Sequence, residues 1–207
     1  MALVIILRKH PNVNRFRDLM IDIISSGLGN KALLCSGFFQ EDFHGHNYRA
    51  SQERNFAQVL RSNKIELTTV GVHNWSWKQS YKNFRNNLVA AGVKISAKYM
   101  NGLRWHAKVF ILSRDDNPIF GIVGSSNITR RAFSTVSDFN YECDTVIWPD
   151  SEKEIVGIVE EYLGTIEDPY EVIRAPYDVE QNRQLTVQDR LTAIKSEILE
   201  ANLRDLE

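Results

Sequence analysis

Residues Trp105 to Glu142 read W-H-A-K-V-F-I-L-S-R-D-D-N-P-I-F-G-I-V-G-S-S-N-I-T-R-R-A-F-S-T-V-S-D-F-N-Y-E, and their patterning decides the fold. Val109 to Leu112 is an unbroken apolar run of strand type, led in by His106 and Lys108. A spacing of two puts both basic side chains on one face of a strand whose remainder is buried. Asp115-Asp116-Asn117-Pro118 is turn chemistry. Ile119 to Val123 is a second apolar strand that empties into Gly124-Ser125-Ser126-Asn127. That loop brings glycine flexibility, two hydroxyls, an amide and backbone N–H groups to an expected helix start, which suits it to hold a phosphate oxygen.

On the N-terminal side, Ala2 to Leu7 is continuously apolar and reads as a strand of a sheet covered on both faces. Asn14 is placed to cap a helix from Arg15 to Ser26, with Phe16, Leu19, Met20, Ile23 and Ile24 on one side. Further strands are predicted at Lys31 to Gly37, Ile65 to Val72 and Val93 to Tyr99. Helices separate them, one capped by Ser51 and running to Ser62, the other following Trp77 and running to Ala91. On the C-terminal side, Tyr141 to Trp148 is a strand and Ser151-Glu152-Lys153-Glu154 a capping box opening a helix to Leu163. Gly164 to Glu180, with Pro169 and Pro176, is an extended connector. Thr186 and Asp189 open a last helix whose Val187, Leu191, Ile194, Ile198 and Ala201 form an apolar stripe; its partner is left open between its own domain, a second subunit and a domain beyond residue 207. Strands alternating with helices give the fold class α/β: a mixed β-sheet of about seven strands sandwiched between helices.

With 207 residues, 43% of them hydrophobic, the chain can bury a sizeable core, and disorder is excluded outside its ends. Cys35 and Cys143 both fall in apolar strand surroundings and read as two buried thiols of a reducing compartment, hence a cytoplasmic protein. No stretch is long enough for a membrane span, and the Ala2 to Leu7 run is too short for a signal peptide. Formal net charge is −1, but it is unevenly spread: +5 over Lys94 to Arg131 and −9 over Asp150 to Glu207. A polyanion would be drawn to the first segment and repelled by the second. His44-Gly45-His46 lacks further ligands at metal-site spacing and reads as a surface loop; His10 and His73 have no partner pattern. Trp75 and Trp77, two apart, suit either packing in a core or lid, or stacking on bases.

His106-x-Lys108, Gly124-Ser125-Ser126-Asn127 and Asn140-Tyr141-Glu142 follow one another within 37 residues, and Ile128-Thr129-Arg130-Arg131-Ala132-Phe133 continues the second. In these motifs the chain resembles the phospholipase D superfamily, in the branch of small nucleases and metal-independent restriction endonucleases that carry one HxK motif per chain. Many members of that superfamily have an Asp five residues after the lysine, where this chain has Ser113. The nuclease branch often lacks it, which favours nuclease over lipid hydrolase. Asp115 and Asp116 read as turn residues.

The resemblance implies a phospholipase D-like catalytic domain over residues 1–165, with 166–207 as the connector and final helix. It implies metal-independent cleavage of DNA through a phosphohistidine, by a restriction or defence endonuclease or its catalytic domain, with no cofactor and no metal ligands. His106 is the implied nucleophile, Lys108 the point charge on nonbridging oxygens, and Asn127 with Ser125 or Ser126 the hydrogen-bond donors to them. Glu142 is implied to hold the far nitrogen of an imidazole and fix its tautomer. Arg104, Arg130 and Arg131 are candidates for the nucleic-acid backbone. One imidazole cannot both attack phosphorus and protonate the leaving oxygen on its opposite side, and the chain has no second HxK. The expected partners are therefore DNA and a second copy of the chain, in a C2 homodimer with one composite site at the interface. The sequence leaves open the strandedness of the nucleic acid, DNA against RNA, and an added DNA-reading domain or subunit. The competing functions are a phospholipid hydrolase or transferase of the same superfamily, and a catalytically silent nucleic-acid-binding scaffold.

Overall fold

Among the described residues nine strands form one mixed sheet, and the apolar runs of the sequence supply its centre. The structure, a computed structural model, describes residues 3–71, 74–102 and 104–207, and every side chain of these but that of His44. In chain order the elements are β1 (Leu3–Arg8), α1 (Arg15–Ser25), β2 (Lys31–Cys35), α2 (Phe56–Ser62), β3 (Glu66–Gly71), α3 (Lys78–Ala90), β4 (Lys94–Tyr99), β5 (Lys108–Arg114), β6 (Asn117–Gly124), α4 (Arg130–Phe133), β7 (Glu142–Ile147), α5 (Lys153–Gly164), β8 (Val172–Ala175), α6 (Val187–Leu199) and β9 (Arg204–Asp205). The strand order is β8-β1-β7-β6-β5-β2-β3-β4-β9. Only β2, β3 and β4 run parallel to one another; every other pairing is antiparallel.

The sheet thus has two strands more than the seven the sequence predicts. The additions, β8 and β9, are short edge strands. Val172–Ala175 lies inside the stretch expected to be a plain connector, and pairs with β1.

Period-two alternation sorts the apolar side chains onto two faces. Leu34, Phe110, Ile122, Val146 and Val4 form one row, buried with Phe16, Leu19, Met20, Ile23 and Ile24 of α1 and with side chains from α2, α3 and α5. Asn14 caps α1 as predicted, its Oδ1 accepting from Arg17 N at 3.0 Å. On the other face Leu33, Cys35, Val70, Val109 and Ile111 lie under Val187, Leu191 and Ile198 of α6, which answers the question of what the final helix packs on. Gly121 makes this possible: a Cβ there would meet Leu191 Cδ2 at 2.3 Å. The Thr186–Asp189 capping box opens α6 as expected.

Other local expectations give way to tertiary contacts. Ser51 does not cap a helix, because its hydroxyl is bonded to the buried carboxylate of Glu41, and α2 begins only at Phe56. α5 starts at Lys153 behind Glu152, whose carboxylate pairs with Arg114 at 3.2 Å instead of capping. β1 is not covered on both faces: Val4, Ile6 and Arg8 are buried, while Leu3, Ile5 and Leu7 are half-exposed. Cys143, on that same open side of β7, is exposed, so only Cys35 is a buried thiol. Burial pushes the Cys35 thiol up to about 12. The acidic C-terminal segment is not segregated either, since Asp205 pairs with Lys98 at 2.8 Å. Among the described residues no helix is long and apolar enough to cross a membrane.

Candidate active site

Antiparallel pairing brings the three motifs to one end of the sheet. β5 begins where β6 ends and β7 begins, so Lys108, Gly124 and Asp144 stand in one cross-strand row. The end of β2 lies beside them, Cys35 opposite Val109. His106 is exposed just ahead of β5, and Lys108 Nζ donates to the His106 carbonyl oxygen at 2.7 Å, folding the HxK motif on itself. β5 starts at Lys108, so the strand alternation expected from His106 onward holds only from the lysine.

The two serines, interchangeable in sequence, have different surroundings. The Ser126 hydroxyl donates to Asp144 Oδ2 at 2.6 Å and its amide to Oδ1 at 3.2 Å, and the residue is 1% exposed. The Ser125 hydroxyl donates to Glu142 Oε2 and accepts from Cys143 N at 3.0 Å, in a half-exposed position. Asn140 Nδ2 donates to the other Glu142 oxygen at 3.1 Å. Burial pushes the Asp144 carboxyl up to about 6, the Ser126 bonds opposing this and the neighbouring charge of Glu142 adding to it.

Gly124 is a glycine for want of room. A Cβ would lie 2.0 Å from Asp144 Oδ1 and 2.6 Å from the Cys143 carbonyl oxygen, so the Asp144 carboxylate occupies the space. The phosphate-cradle expectation is narrowed by the four loop amides that already have partners. Those of Ser125, Ser126, Ile128 and Arg130 are bonded to Cys143 O, Asp144, Ser36 Oγ and Gln40 Oε1. The helix expected to follow is the four-residue α4. What the loop presents outward is side chain: Ser125 and Asn127 are both half-exposed.

Several residues that sequence reasoning passed over hold this arrangement. Ser36, fully buried at the end of β2, has one hydroxyl proton shared between Phe38 O at 2.8 Å and Asn127 Oδ1 at 3.2 Å, and accepts from the Ile128 amide. Arg8, opposite Glu142 in the β1–β7 register, donates to the carbonyls of Arg131 and Ser134 and lies 5.0 Å over the Phe139 ring. One signal was available: Glu142-x-Asp144 matches Ser125-Ser126, and period two puts both acids on one face.

A cleft of ≈ 550 Å³ opens from Asn127 and Asn140 and runs past Trp77, Arg130 and Arg131. Asp138 pairs with both arginines, at 3.0 and 3.3 Å. Arg104 is exposed ahead of β5 and does not line this cleft. Asp115 and Asp116 lie at the far end of the β5–β6 hairpin, Asp115 in a left-handed turn with φ 55° bonded to Asn30, Asp116 paired with Lys31. His46 lines the cleft, and His10 meets Asp168 at the surface at 3.3 Å. Ala2, Val72, His73 and the His44 side chain, all part of sequence expectations, lie outside the described residues. Among those described, no three or more His, Cys, Asp or Glu are grouped to hold a metal ion.

NucT from Helicobacter pylori is similar in structure, with a TM-score of 0.42 and 16% identity over 80% of this chain and 96% of that one. Phosphatidylserine synthase of Haemophilus influenzae gives 0.46 and 12% over 96% of this chain and 46% of that one. A mutant of yeast tyrosyl-DNA phosphodiesterase gives 0.36 and 16% over 70% and 31%. The chain thus spans less than half of the last two proteins. No curated protein matches it in sequence. The family model described as "Cardiolipin synthase, PLD-like domain" matches residues 40–166, a span that contains all three motifs and, among the described residues, the lining of the cleft beside them except Phe38. The chain belongs to the phospholipase D-like family and carries that superfamily's phosphodiesterase-type fold.

Proposed function

We infer that this chain is a metal-independent phosphodiesterase that cleaves DNA, a restriction or defence endonuclease or the catalytic part of one. The observation that carries this reading is the convergence of the HxK motif, the Ser125–Asn127 loop and Glu142 on the ends of three adjacent strands, with His106 exposed. His106 attacks phosphorus, the P–N bond forms as the P–O bond to the leaving strand breaks, and an imidazolium of a second copy gives its proton to the leaving oxygen. Water then attacks the phosphohistidine, the same second imidazole takes its proton, and His106 is released. Lys108 and Asn127 offset charge on the nonbridging oxygens. Among the described residues each Glu142 oxygen has one hydrogen bond, from Ser125 or Asn140, and so retains capacity to accept an imidazole N–H.

Homodimerisation is supported by the open side of the sheet. Leu3, Ile5, Leu7 and Ile173 share a face with Cys143, which flanks Glu142, and Tyr141 beside them is 77% exposed. An apolar face left half-open next to half a site suits a second copy of the chain. A separate DNA-reading domain or subunit would supply sequence recognition.

Plasmid DNA incubated with the protein in excess chelator is expected to be cut, by a species of dimer mass. His106→Ala is expected to abolish cutting and leave the dimer intact. Cutting that stops with chelator and returns with magnesium, or a strictly monomeric active protein, would refute the mechanism. Release of choline from phosphatidylcholine vesicles with DNA left intact would transfer the same chemistry to lipid.

A further inference from the structure

The turn Trp75–Trp77 carries two indoles in unlike settings. Trp77 stacks on Phe43, centroids 3.9 Å apart and planes 13° apart, lies 4.8 Å from Phe38, and walls the cleft that starts at Asn127 and Asn140. Trp75, in the same turn, is 56% exposed. Lys78 Nζ stands 4.3 Å from the Trp75 centroid and 4.1 Å from that of Tyr99. A second hollow, of ≈ 350 Å³, is lined by Trp75, Tyr99, Asn101, Asn202 and Arg204, and no carboxylate is among the described residues that line it.

These features lie at the same end of the sheet as the motifs. Tyr99 ends β4 opposite Gly71 of β3, and β5, β2, β3 and β4 are consecutive neighbours. Lys108 and Tyr99 are therefore three strand spacings apart, about 14 Å, a span of a few nucleotides. From the HxK motif outward the surface offers amides, then an aromatic wall with arginines, then an open indole beside Lys78 and Arg204. Aromatic faces alternating with cations suit unstacked bases on a tracked backbone. A duplex, whose bases stack on one another, would use only the cations.

We propose that this end of the sheet is a track for single-stranded nucleic acid, with a base stacked on Trp75, backbone phosphates on Lys78 and Arg204, and the next nucleotides passing the Trp77 cleft to the HxK motif. The track rests on the nuclease reading for its direction, but its binding is separable from catalysis. Oligothymidine of about 12 nucleotides is titrated against the His106→Ala protein, so that the strand survives, with and without Trp75→Ala or Trp75→Phe. Hydrolysis of bis(p-nitrophenyl) phosphate is followed with His106 present.

Trp75→Ala is expected to weaken oligothymidine binding about tenfold, the scale of one lost stacking contact. Trp75→Phe should restore most of it, and diester hydrolysis should not change with Trp75→Ala. Equal oligothymidine affinity in all three proteins, tighter binding of a duplex than of the single strand, or slowed diester hydrolysis in Trp75→Ala would each overturn the track. Should the diester resist the parent protein while Trp75→Ala still loses the oligonucleotide, the track stands and the catalytic reading falls.

Discussion

Ser125 and Ser126 are neighbours that each give a hydroxyl to a carboxylate of β7, Ser125 to Glu142 and Ser126 to Asp144. Two like pairs, one step apart, have unlike positions. The outer pair is joined by Asn140, a lining residue of the cleft, and its serine is half-exposed. The inner pair sits against the backbone of Gly124 with Ser126 buried and the carboxyl pushed up to about 6. Both carboxylates are buried, Glu142 at 8% and Asp144 at 4% exposed, so what separates them is their cover: Glu142 lies behind a half-exposed serine and an asparagine of the cleft, Asp144 behind a buried serine and the loop backbone. Under the proposed mechanism the outer pair serves the chemistry, and the inner pair is the clamp that aims it.

If that division is right, the largest effect belongs to the outer acid. Glu142→Gln keeps the volume and can still accept from Ser125, but loses the charge that complements an imidazolium. Its kcat on DNA is expected to fall on the order of 10²-fold or more, with the melting temperature close to that of the parent. An enzyme that tolerates Glu142→Gln would erase the contrast with Asp144. Next comes the clamp's seat. Gly124→Ala forces a methyl into the Asp144 carboxylate and the Cys143 carbonyl, backbone that cannot step aside. A loss of about 3 kcal/mol of stability is expected from such overpacking, read by denaturant titration. Unchanged stability would mean the inner clamp is loose.

The same two pairs mark how far local pattern carries. The HxK motif, the loop and Glu142 are legible because each is a short contiguous pattern beside an apolar strand run, although strand alternation itself begins only at Lys108, and antiparallel order then puts all three at one end of the sheet. α1 and α6 are legible for similar reasons, through Asn14 and the Thr186–Asp189 box. What cannot be read is whatever depends on a distant partner. Val172–Ala175 is a strand only because β1, about 170 residues before it in the chain, offers it an edge. Ser51 looks like a cap until Glu41 takes its hydroxyl. Cys143 looks buried because it falls within the strand expected from Tyr141 to Trp148, whereas its side of β7 is left uncovered. Gly124 reads as a flexible hinge, and the reason it is glycine lies 20 residues on, in Asp144.

The smallest effect distinguishes the pairs by pH. Burial lifts Asp144 from an ordinary 3.8 to about 6, so the folded protein holds this proton more tightly than the unfolded chain does. The group therefore favours folding below pH 3.8, and that contribution is lost as pH rises through about 6. Above that pH the buried charge opposes folding by at most ~3 kcal/mol, at about 1.36 kcal/mol for each pH unit between the two values. Asp144→Asn carries no charge at any pH and can still accept the Ser126 amide. It is expected to be the more stable protein at pH 8 by about 2 kcal/mol, roughly 4–8 °C in melting temperature for a chain of this size. At pH 4 the advantage should nearly vanish, because Asp144 is then protonated in the fold. A melting difference that stays constant from pH 4 to pH 8 would mean that the inner carboxylate is not sealed from water, and that cover does not separate the two serine–acid pairs.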